Sequence, residues 1–187
     1  MSERSRSLLL GIARLARGRP EGIEQFGGTQ QAFMASLAPL IAFPLVASGW
    51  LLLDGSVGRA VLGLLASLTA LLGPPVISHA LARRWGREAA WLRYAVAFNW
   101  CQWAIPLAAV ALLLSLRLLA GLGLPAPTAA NAFVLGLAAY ATWLHWFIAR
   151  HGLALSRLQA VAVSLLVNAG TVLLAIGPRV LQAALAE

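Results

Sequence analysis

Lysine is absent from the 187-residue chain, cysteine occurs once, and the six acidic residues, Glu3, Glu21, Glu24, Asp54, Glu88 and Glu187, all fall in terminal or loop segments. Each absence excludes something. A single thiol, Cys101, permits neither an intrachain disulfide nor a cysteine-based metal site. Apolar runs without a carboxylate hold nothing to relay protons or coordinate a coupling cation, which argues against an ion-driven pump or transporter. Charged residues make up 11% of the chain, against about 25% in soluble domains. With a mean hydropathy of +0.81, that composition rules out an ordinary soluble domain. Also missing are a Ser-His-Asp grouping, an HExxH helix, a phosphate-cradling glycine loop and paired carboxylates, so no catalytic residue is assigned and no enzyme is expected.

What the chain does contain is apolar sequence in membrane-length runs. Five are visible, over about 31–53, 59–82, 91–119, 129–149 and 158–176, each near or above the ~20 residues that cross the hydrocarbon of a bilayer. Thr29 is placed to cap the first, and Asp54, Gly55 and Ser56 end it. The predicted fold is an all-α polytopic membrane bundle of five transmembrane helices. It comprises a basic amphipathic segment and linker over 1–28, the membrane domain over 29–179 and a short tail over 180–187.

All 14 basic residues are arginine, and the net charge is +8. Arg4, Arg6, Arg14, Arg17, Arg19, Arg83, Arg84, Arg87, Arg93, Arg150 and Arg157 fall on one side of the expected spans, and only Arg59, Arg117 and Arg179 on the other. The positive-inside rule then places the N-terminus in the cytoplasm and the C-terminus outside, as an odd span count requires. Arginines that punctuate apolar runs are boundary signals, so nucleic acid is not an expected partner. Leu8, Leu9, Ile12 and Leu15 fall near one helical face, which suits a segment lying on an anionic leaflet; an unstructured basic tail is the alternative. Trp50, Trp85, Trp91, Trp143 and Trp146 sit near span ends, where indoles favour the headgroup layer.

Within the spans the polar residues are His79, Asn99, Gln102, Asn131, His145 and Asn168. His79 and His145 each lie just before a cytoplasmic arginine on spans running in the same direction, so they are expected at similar depth. Two facing imidazoles can ligate a b-type haem or a metal ion, or each can be a hydrogen-bonded interfacial histidine. Asn99 and Gln102 share a helix face, with Trp100 and Trp103 on a neighbouring one; the patch suits an amphiphile pocket or interhelical hydrogen bonding. Ala160, Ser164 and Asn168 recur every four residues as a close-packing stripe for the bundle or a dimer. Arg83, Arg84 and Arg87 can hold a lipid phosphate or simply set topology. Pro39, Pro44, Pro74, Pro75 and Pro106 predict kinks, with Gly73-Pro74-Pro75 the foremost candidate for a broken helix.

The stretch from Ile77 through His79 and Arg83-Arg84-Trp85-Gly86, then Trp91 to Pro106, resembles the middle of the Yip1 family's membrane domain: a span ending in a basic, glycine-containing turn, then a span with an interior proline. Trp143 to Ala160, with its Arg150-His151-Gly152-Leu153-Ala154-Leu155-Ser156 turn, is similar to that family's short turn before its last span. The two stretches cover about half the chain. Pro74-Pro75 and the Trp- and Gln-bearing third span depart from the pattern. The resemblance implies a non-enzymatic five-span protein that binds lipid or membrane-protein partners, itself included. Alternatives from the residues are an accessory subunit of a bioenergetic or photosynthetic complex, and a small channel or transporter. Arginine without lysine, in an Ala- and Leu-rich chain, suggests a GC-rich bacterial genome and hence the inner membrane.

Overall fold

The computed structural model describes residues 3–185, with side chains placed over residues 5–174. The side chains of Glu3, Arg4, Pro178 and Arg179, and Glu187 altogether, lie outside the described residues. Within it, all regular structure is helical: α1 (Glu3–Leu15), a 3-10 turn (Pro20–Gln25), α2 (Gln30–Leu53), α3 (Val57–Arg84), α4 (Glu88–Cys101), α5 (Ala104–Gly121), α6 (Ala126–Gly152) and α7 (Arg157–Leu185). Five segments are long and apolar enough to cross a membrane, the third formed by α4 and α5 together. The chain is an all-α membrane helix bundle. α7 runs on to Leu185, beyond the point near Ile176 where the sequence pattern ends the fifth span.

Local chemistry sets the boundaries. Thr29 caps α2 as expected, its hydroxyl accepting from the Ala32 N–H at 3.1 Å. The turns closing α1, α2, α3, α5 and α6 share one device, a bond from an N–H to the carbonyl five residues earlier around a left-handed residue. Glycine occupies that position at 18, 55, 86 and 123, while Ala154 takes it, at φ 50°, in the turn between α6 and α7. Gly152 serves differently, as a Cβ there would come within 3.2 Å of Tyr94 Cβ.

The third span is interrupted at Gln102-Trp103, where Trp103 N–H and Ile105 N–H reach back only three residues, to Trp100 O at 3.2 Å and Gln102 O at 3.3 Å. Pro106 is the cause: it has no N–H for the Gln102 carbonyl, and its ring crowds that carbonyl. At Gly73-Pro74-Pro75, by contrast, α3 is unbroken, which corrects the expectation. There α3 is wedged between α2 and α7, and close approach holds it: a Cβ on Gly73 would lie 2.7 Å from Leu174 Cδ1, and one on Gly170 2.5 Å from Ile77 Cδ1.

α4 is the central helix, touching α1, α2, α3 and α6, and Tyr94 to Asn99 form an unbroken buried run. The core it organises includes Leu15, Phe26, Ala82, Leu144, Ile148, Leu153 and Val163 and lies toward the Arg-rich end. α5 packs chiefly on α6, and large apolar side chains of α3, α5, α6 and α7 face outward, as lipid-exposed surface requires. The N-terminal segment is an ordered helix. α1 turns Leu8, Gly11, Ile12 and Leu15 inward and leaves Leu9 and Leu10 outside, and Ala16 O accepts a 3.2 Å bond from the Tyr140 hydroxyl.

Candidate functional site

In a membrane bundle little hydrophobic force distinguishes helix from lipid, so internal polar groups determine much of the specific packing. Here they converge. A cavity of about 320 Å³ lies among α2, α3, α4, α6 and α7, lined by Asn99 and Gln102, His145, Asn168 and Thr171, and Ser67, with an apolar wall that includes Leu40, Leu71 and Phe98. None of its lining residues is fully exposed. The volume matches a ring-sized head group or about ten waters at ~30 Å³ each.

Its polar side chains form a chain of hydrogen bonds with one direction. Gln102 Nε2 lies 3.3 Å from His145 Nε2, and His145 Nδ1 lies 2.7 Å from Asn168 Oδ1. A carboxamide oxygen can only accept, so the proton of this imidazole sits on Nδ1 and Nε2 accepts from Gln102. Asn168 Nδ2 continues to Ser164 Oγ at 3.5 Å, and Ser164 donates to the Thr142 carbonyl at 3.2 Å. The relay thus joins the end of α4 to α6 and α7. A second strut is buried beside it, with Asn99 Nδ2 donating to Ser36 Oγ at 2.9 Å and Ser36 to Phe33 O at 2.7 Å.

The expected Asn99–Gln102 face is therefore one wall of the cavity. Trp100 and Trp103 are elsewhere: Trp100 lines a separate space beneath α1 and α2, and Trp103 packs on Phe43 with ring centroids 5.4 Å apart. Asn131 is exposed at the start of α6. The Ala160, Ser164, Asn168 stripe faces α6 within the bundle, through Ser164 to Thr142 and Asn168 to His145. Trp91 is a packing residue as well as a boundary one, donating to Ser78 Oγ at 3.1 Å and meeting Phe33. Arg83, Arg84 and Arg87 are exposed at the end of α3 and the following turn, away from the cavity.

The two histidines are not brought together. His79 stacks edge-on against Trp91 at 4.7 Å, its Nε2 3.3 Å from Glu88 Oε1, whereas the His145 ring meets Phe98 at 4.7 Å. Trp91 and Phe98 are seven residues apart on α4, so the imidazoles differ in depth by about 10 Å at 1.5 Å rise per residue. With His145 Nε2 turned to Gln102 and His79 Nε2 to Glu88, the pair does not fit a bis-histidine haem. Among the described residues no cluster of three or more His, Cys, Asp or Glu side chains gathers to hold a metal.

Sequence reasoning missed Leu40, Ser67, Ala70, Leu71, Phe98 and Thr171, and read Pro44 and Pro74 as kinks alone. A signal for three of the walls was present in the prolines. Pro44, Pro74 and Pro75 deprive the carbonyls of Leu40, Ala70 and Leu71, four residues earlier, of their helical donor, whereas the Gln102 carbonyl, four before Pro106, accepts from the Ile105 N–H instead. All four residues line the cavity. Comparison of the chain with protein-family models, curated proteins and solved structures finds no match.

Proposed function

We propose that this integral membrane protein is a non-catalytic binding protein that holds an amphiphile, a lipid or lipid-like molecule, in the polar cavity of its bundle. One observation carries the reading: four of the six polar residues of the apolar spans, Asn99, Gln102, His145 and Asn168, meet around one space, together with residues whose carbonyls lose their helical donor to a proline. Polar groups inside a bilayer are costly and are kept where they do something. The arginine distribution supports a cytoplasmic N-terminus in a bacterial inner membrane, and the odd span count supports a Yip1-like arrangement. Arg83, Arg84 and Arg87, exposed at the Arg-rich end, would meet phosphates of the surrounding lipid.

The test is native mass spectrometry of the protein extracted from its own membrane in mild detergent. A bound small molecule is expected on the wild type and not on Ala70→Phe, which narrows the cavity without removing a side-chain hydrogen bond. Equal retention by both proteins would refute the cavity as the site, and recovery only within a larger assembly would favour an accessory-subunit role.

A further inference from the structure

The chemistry of the cavity wall specifies the head group it accepts. Part of the donor capacity there is spent inside the protein: one N–H of Asn99 on Ser36, one of Gln102 on His145, the His145 N–H on Asn168, one N–H of Asn168 on Ser164, and Thr171 on the Val167 carbonyl at 2.8 Å, so that each of the three carboxamides keeps one further N–H. The acceptors are not spent. Asn99 is 3% exposed, yet its Oδ1 has no hydrogen-bond partner among the described residues. No side-chain oxygen or nitrogen among those residues is both sealed from solvent and unpartnered. The Asn99 oxygen therefore opens onto free space, and the cavity is the space that Asn99 lines. Gln102 Oε1 is likewise without a protein partner. To these the prolines add backbone acceptors, since the Leu40, Ala70 and Leu71 carbonyls lack their helical donor. The Ser67 hydroxyl, which makes no hydrogen bond among the described residues, can donate or accept.

Charge narrows the class further. No arginine, carboxylate or lysine lines the cavity. An anionic head would be buried without a cation and an ammonium without a counter-charge, each expensive in this setting. Resting on the binding role proposed above, we infer that the cavity selects an uncharged hydrogen-bond donor: the hydroxyl of an alcohol or phenol, given to Asn99 Oδ1 or Gln102 Oε1, with Ser67 donating back to the same oxygen. The apolar body of the ligand packs against Leu40, Leu71 and Phe98. A carbonyl, ether or ester head of the same shape leaves the Asn99 and Gln102 oxygens unpaired and is discriminated against, because an unmet buried acceptor costs more than a met one gains.

The experiment compares 4-octylphenol with its methyl ether on the full-length protein in phosphatidylcholine nanodiscs, reading bound mass and the unfolding midpoint over a concentration series. The phenol is expected to bind at least tenfold more tightly than the ether, a preference worth about 1.4 kcal/mol. Asn99→Leu, which leaves Gln102 Oε1 in place, should lower that ratio several-fold while leaving the ether's affinity as it was. Ala70→Phe, which removes no side-chain hydrogen bond, should weaken both ligands and keeps the comparison readable if Asn99→Leu fails to assemble. Equal binding of phenol and ether, both lost in Ala70→Phe, overturns the donor rule while the binding role stands. Absence of binding by either probe overturns both. A midpoint that rises with sodium or potassium chloride and not with the phenol overturns the inference in favour of a carbonyl-lined cation site.

Discussion

Replacing Asn168 with leucine tests whether the relay from Gln102 through His145 holds the bundle together. Asn168 is the sole acceptor for the His145 Nδ1 proton, at 2.7 Å, and its own bond to Ser164 is long, at 3.5 Å. Leucine is close to asparagine in size and borders a cavity of about 320 Å³, so steric cost is small. What remains is a stranded imidazole donor. Leaving such a group unpaired costs about 1–3 kcal/mol, and the lower end applies if water in the cavity reaches it. We expect about 2 kcal/mol. Cys101 supplies the assay, being the single thiol and buried at 1% exposure beside the relay. Its alkylation reports opening of the core, and a loss of 2 kcal/mol accelerates labelling by about 30-fold when opening is rapid.

A double-mutant cycle separates the hydrogen bond from packing. In a His145→Leu background no imidazole donor remains to be stranded, so Asn168→Leu should then cost well under 1 kcal/mol. The coupling should therefore exceed about 1 kcal/mol, toward the maximum of about 1.7 kcal/mol measured for hydrogen bonds between membrane helices, whose mean is about 0.6. Additive losses, or Asn168→Leu labelling no faster than wild type, would refute the view that these amides act as one network.

Two further predictions concern the Arg-rich end. Tyr140→Phe removes the 3.2 Å bond to Ala16 O that anchors the end of α1; at about 1 kcal/mol the helix should undock some fivefold more often, measured as faster tryptic cleavage after Arg14 and Arg17. Ala154→Gly relieves a left-handed alanine at φ 50° and should stabilise the protein by up to about 1 kcal/mol, raising the unfolding midpoint and slowing Cys101 labelling.

The spans, the Thr29 cap and the shared face of Asn99 and Gln102 were legible because each depends on local spacing: apolar run length, a hydroxyl three residues before its N–H, and a three-residue helical interval. Which polar residues meet across helices was not legible. His79 and His145 look equivalent when counted from their arginines, but α4 meets α3 near Trp91 and α6 near Phe98, and that stagger sets them at different depths. The break falls before Pro106, one of the five expected kinks, and not at Gly73-Pro74-Pro75, the foremost candidate for a broken helix. A double proline is the stronger breaker in isolation, yet α3 is wedged between α2 and α7, whereas the α4–α5 junction leads into α5, which has α6 as its main neighbour and is free to bend.

The prolines permit a last, decisive comparison. Pro74→Ala and Pro75→Ala each return an N–H to α3, directed at the Ala70 and Leu71 carbonyls respectively. Since proline in a helix interior costs about 3 kcal/mol, and α3 is continuous through both positions, each change should stabilise the apo bundle. If these prolines are merely tolerated, ligand retention should be unchanged or improved along with stability. If they exist to leave acceptors facing the cavity, stability and binding should move in opposite directions, with a higher unfolding midpoint and several-fold weaker phenol binding. A variant gaining in both would show that the Ala70 and Leu71 carbonyls released by these prolines have no bearing on recognition, and would leave the Asn99 and Gln102 side-chain oxygens as the acceptors that matter.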